Sequence, residues 1–188
     1  MKKITTKKLV LTALMAALTV AGSWARITVP LDIAGTSSFH LGNILCALSG
    51  ILLGPWLGGL AAGLGSAIFD MLNPLYISEC WITFLTKGLY GLMAGLVAWG
   101  ASKKWNGSYL CAVFASISGA LTYAAVYLAK SFFYNGLLLS GLTVEAAALN
   151  LIGKLPATTF NAVIAVICAP LLAVAISNAL KKSRLSLE

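Results

Sequence analysis

Residues 48–72 read LSGILLGPWLGGLAAGLGSAIFDML, a run apolar enough for a lipid bilayer that still holds six glycines, a Gly-Pro pair and a terminal-side aspartate. With residues 41–47 the run reaches about 32 residues, and as one helix it would measure about 48 Å against a hydrocarbon core of about 30 Å. One helix is too long, so the run divides. Pro55 supplies the break, because it lacks a backbone donor and pushes Gly54 out of the α region. The expectation is a helix over 41–53, a tight Gly54-Pro55 turn and a second helix over 56–72. Gly50, Gly54 and Gly58, with Gly59 and Gly63, recur at four-residue intervals and give small faces where helix backbones approach closely.

The rest of the chain belongs to the same class. Of 188 residues, 60% are hydrophobic and only 10% charged, which fits a polytopic membrane protein and not a soluble domain. Further apolar runs over 9–25, 81–101, 109–132 and 157–180 complete an expected all-α, six-helix transmembrane bundle forming one domain over 1–188. Run 9–25 does not resemble a cleaved signal peptide, since more apolar runs follow and no small-x-small site precedes them. The two closing residues, Leu187-Glu188, resemble a tag remnant and are given no weight.

The formal charge of +8 suggests a nucleic-acid partner until it is mapped. Most of the excess falls in three clusters: Lys2, Lys3, Lys7 and Lys8; Lys103 and Lys104; Lys181, Lys182 and Arg184. That is a topology signal, and no nucleic acid is expected. Placing all three clusters in the cytoplasm requires an even number of crossings between successive clusters, which the division at Pro55 provides. Both termini are then inside, and the outer loops are 24–40, 73–80 and 134–153. Pro156 suits the first turn of the sixth helix and Pro170 should kink it. Cys46, Cys80, Cys111 and Cys168 lie far apart with no CxxC spacing, so they read as packing thiols.

Outside the clusters and the terminal glutamate, the charges are Arg26, Lys87, Lys130 and Lys154 against Asp32, Asp70, Glu79 and Glu145, all toward the outer side. Charges in or beside spans are expensive and mark functional positions unless they pair internally. Asp32 and Glu145 read as water-facing loop charges. Lys87 is harder to explain that way, lying inside an apolar run one turn before Tyr90, and Asn161 is similarly deep. Tyr123 and Tyr127 are four residues apart, and Lys130 continues their face, as the wall of a polar pocket would. The aromatics Trp24, Trp81 and Tyr134 fit an interfacial belt. No nucleotide-binding or metal motif is present and no cofactor is expected. His40 with Ser66 could be imagined as a protease pair, but packing of small residues accounts for Ser66 better.

These features resemble a known family, the substrate-binding S components of energy-coupling factor (ECF) vitamin transporters. The resemblance runs through the Lys-rich start, LTALMAALTVAG with its AxxxA pattern at Ala13 and Ala17, FHLGNIL, LLGPWLGGLAAGLGSAIFDML, FLTKGLYGLMAGL and KLPATTFNAVIAVICAPLLAVAI. Asn43 departs from it, standing where many members carry Asp. The resemblance implies a non-enzymatic, multi-pass subunit of a prokaryotic cell membrane. It would bind a vitamin-like small molecule near the outer face and dock through Ala13 and Ala17 on a T component carrying two ATPases. It also implies a substrate site at Lys87, Tyr90, Tyr123, Tyr127, Lys130 and Asn161, with Lys154 and Glu79 at its rim, to which Asp70 and His40 are added by position. The outer cations favour an anionic group and the aromatics a flat heterocycle, leaving pantothenate, folate-like, flavin, pyridoxine and pyrimidine-type ligands open. The other function class is a stand-alone secondary transporter or channel, disfavoured because no inverted repeat is evident.

Overall fold

The computed structural model describes residues 5–30, 36–100, 105 and 107–182. Lys2, Lys3, Asp32, Lys103, Lys104, Arg184 and Leu187-Glu188 lie outside these described residues. The chain is mostly helical, in the order α1 (Thr6–Trp24), a hairpin of β1 (Arg26–Pro30) and β2 (Thr36–His40), α2 (Gly42–Leu53), α3 (Pro55–Met71), a single 3-10 turn (Ile77–Glu79), α4 (Cys80–Trp99), α5 (Tyr109–Lys130) and α6 (Val144–Lys182).

α1, α4, α5 and α6 are long and apolar enough to cross a membrane. The protein is a membrane protein. α2 and α3 break where the sequence requires: Gly54 closes α2 with φ of 83°, a left-handed conformation that favours glycine, and Pro55 opens α3 as its first residue. The glycines then let α2, α3 and α4 pack backbone to backbone. A methyl at Gly50 would lie 2.2 Å from the Gly91 carbonyl oxygen, and one at Gly58 would lie 2.5 Å from the Gly50 Cα. Alanines fill much of the remaining interior, with Ala47, Ala61, Ala62, Ala94, Ala115 and Ala165 all fully buried. Small side chains at helix contacts are what a bundle in lipid needs, where dispersion rather than hydrophobic exclusion holds helices together.

Three features differ from the sequence expectation. The first outer loop contains an antiparallel two-stranded hairpin, with Arg26 opposite His40 and Thr28 opposite Ser38, so the chain is not wholly α. α5 does not end in a loop: wider π-helical turns continue it over Ser131–Leu139. Most importantly, α6 begins at Val144, not at 157, and passes through both Pro156 and Pro170. Its start is set by Thr143, whose side chain accepts from the Ala146 N–H at 3.3 Å, and Glu145 in the first turn complements the helix dipole. Pro156 thus occupies a helix interior, as proline does in bundles where neighbouring groups re-satisfy the backbone. The supposed loop charge Glu145 and rim residue Lys154 are both helical.

Candidate functional site

The hairpin, the C-terminal ends of α1 and α3, the N-terminal half of α4, the C-terminal half of α5 with its π-helical extension, and α6 surround a polar cavity of about 210 Å³. Nine of the ten residues singled out in the sequence line it: His40, Asp70, Glu79, Lys87, Tyr123, Tyr127, Lys130, Lys154 and Asn161. Tyr90 does not. Its ring is fully buried beneath the cavity and stacks on Tyr123 at 5.6 Å, and Tyr123 stacks in turn on Tyr127 at 5.6 Å.

Each charge has its own arrangement. Lys87, only 6% exposed, donates to the Asn43 side-chain carbonyl and holds its ammonium 3.8 Å from the centre of the Tyr123 ring. Asn43 in the first turn of α2 is neutral, so this contact satisfies a donor without cancelling the charge. Lys130 pairs with Glu79, whose other carboxylate oxygen accepts from the Asn135 amide in the π-helical segment. That segment has its function here, bringing Ser131 and Asn135 into the wall. Lys154 is 5% exposed and donates to the Ser131 hydroxyl at a long 3.4 Å. Asp70 hydrogen-bonds with Thr83, and its charged neighbours are Arg26, Lys87 and Lys130.

Arg26, one of the outer charges but not among the ten expected site residues, also lines the cavity. Its guanidinium lies 4.0 Å from the Phe69 ring centre and 5.1 Å from that of Tyr76, and its Nε donates to the Ser23 carbonyl at 2.8 Å. Ser37 and Ser38 of β2 also line the wall, as does Ser66, previously assigned to packing alone. No pattern marks these serines; only the hairpin brings β2 to the cavity. Nearby, burial and the positive charges of Lys87 and Arg26 hold His40 well below the ordinary imidazole range. Across the described lining, four cations face two carboxylates.

The buried charges and stacked tyrosines line a polar cavity with the make-up of a small-ligand pocket. The sequence profile described as ECF-type riboflavin transporter, S component, matches residues 3–178. The chain belongs to that family. That family is one of transport protein subunits. The chain is also similar to a Pyrococcus woesei protein described as "Uncharacterized protein in gap 3'region", 35% identical over 79 residues, which are 42% of this chain and 50% of that protein. The match thus spans about half the length of that curated relative.

Proposed function

We propose that this S component captures riboflavin in the polar cavity from outside a prokaryotic cell, and passes it inward with a T component and two ATPase subunits. The family profile supports the vitamin, and the cavity supports capture: a polar site at one end of an otherwise apolar bundle. In this reading all six helices cross the membrane, both termini are cytoplasmic, and α2 and α3, about 18 and 26 Å long at 1.5 Å per residue, rely on local bilayer thinning or packing within the bundle. Lys87, Tyr123, Tyr127, Lys130, Lys154, Glu79, Asp70, His40 and Asn161 form the binding wall, with Tyr90 supporting Tyr123 from below.

Binding is tested on the purified protein in detergent by titrating riboflavin and following its fluorescence, alongside mass spectrometry of any ligand carried through purification. The expected result is nanomolar affinity with flavin co-purifying. No flavin retained and no riboflavin binding would sink the assignment. Uptake into proteoliposomes without any ATPase would favour a stand-alone transporter instead.

A further inference from the structure

Asn161 was singled out as a ligand contact, but its amide is already committed. The Oδ1 atom accepts from the His40 N–H at 2.9 Å and the Nδ2 atom donates to the Ser38 carbonyl at 2.7 Å. A flipped amide would set donor against donor and acceptor against acceptor, so this orientation is fixed by its partners. Residues 38 and 40 present these groups along the edge of β2 that faces away from β1. One carboxamide bridging the carbonyl of one residue and the N–H two residues on makes the same pair of bonds as a residue of a parallel third strand. Without such a partner, the part-buried Ser38 carbonyl and His40 N–H would lose their protein hydrogen bonds on the α6 side.

The consequence concerns the cavity wall. β2 contributes Ser37, Ser38 and His40 to it, and its seam with α6 includes Asn161 and the adjacent edge-on contact of Phe39 with Phe160, 5.1 Å between ring centres. On the other strand, Arg26 anchors the hairpin base toward Phe69 and Tyr76. We infer that Asn161 is a positioning residue: it completes the free edge of β2 and thereby fixes the hairpin as a wall, so that it governs how long a ligand stays bound without having to touch it. The ligand part of this inference rests on the riboflavin reading; the clamp itself does not.

The test uses the full-length protein and the variants Asn161→Ala and Asn161→Asp. Amide hydrogen exchange in the absence of ligand should show the His40 N–H exchanging on the order of tenfold faster in Asn161→Ala, as two hydrogen bonds are lost. Asn161→Asp retains an acceptor for His40 but no donor for Ser38, so it should keep His40 protected. In stopped-flow displacement, riboflavin should leave Asn161→Ala on the order of tenfold faster than wild type, with Asn161→Asp between them and association little changed. Unchanged His40 exchange in Asn161→Ala overturns the clamp. Faster exchange with an unchanged release rate overturns the link to residence. A wild type that binds no riboflavin defeats the ligand reading alone, because the ligand-free exchange still decides the clamp.

Discussion

At the scale of single residues, the sequence marks the charged members of the site and misses their partners. Lys87 stands out because an ammonium in an apolar run demands explanation. Asn43 stands out only as a departure from the family pattern, and nothing in the sequence ties it to Lys87, 44 positions further on. The β2 serines were hidden, being ordinary loop residues until the hairpin folds them against the cavity. His40 allows a direct test. Its folded-state pKa is depressed by burial and by the charges of Lys87 and Arg26, whereas in the unfolded chain it takes a proton near pH ~6.5. As pH falls through that value, the unfolded state binds the extra proton and the folded state does not, so stability drops until the folded-state pKa is reached. The thermal midpoint in detergent should therefore fall between about pH 7.5 and about pH 5.5, and His40→Gln should flatten the slope. An equal slope in the variant would show that other groups carry the dependence.

At the scale of elements, legibility followed the strength of the local signal. Gly54-Pro55 combines a residue that tolerates a positive φ with one suited to a first helical turn, and helix length forces a break there in any case. Pro156 was misleading because the same preference for a first turn was applied where a stronger start existed: Thr143 as cap, Glu145 in the first turn and three alanines behind it. The hairpin lacked a tight-turn dipeptide or clean alternation, and π-helical turns have no sequence signature of comparable strength. The glycine faces were legible, and they can be graded. Gly50→Ala would push a methyl to 2.2 Å from the Gly91 carbonyl oxygen and 2.9 Å from the Gly95 nitrogen. Both contacts are backbone, so a helix must move, and the expected destabilisation is at least about 1–3 kcal/mol. At Gly88 the nearest atom is 3.6 Å away, and Gly88→Ala should be neutral or stabilising by up to about 1 kcal/mol through helix propensity. Thermal unfolding of both variants in the same detergent checks the contrast; similar losses would mean that close approach of α2 to α4 contributes little.

At the scale of the whole molecule, polar chemistry gathers at one end of the bundle and α1 offers a face that the bundle does not use. Thr12, Met15, Ala16 and Thr19 turn inward, where the Ala16 carbonyl and the Thr19 side chain pack so near Gly65 that a methyl there would meet them at 2.4 and 2.7 Å. Ala13 and Ala17 point the other way, exposed beside Leu9, Val10, Leu14 and Leu18. Packing within this subunit therefore does not account for the AxxxA pattern, and the proposed role in docking a T component gains weight from that exposure. A small-residue strip between leucines permits close backbone approach by another helix, and a bulky side chain at its centre blocks that approach. Ala13→Trp and Ala17→Trp should each abolish co-purification with the T component and ATP-dependent uptake. Riboflavin affinity should stay within about threefold of wild type, because neither position reaches the cavity and surface substitutions alter little else. Loss of riboflavin binding in step with complex formation would instead assign both alanines to the fold, and intact uptake would remove α1 from the docking surface.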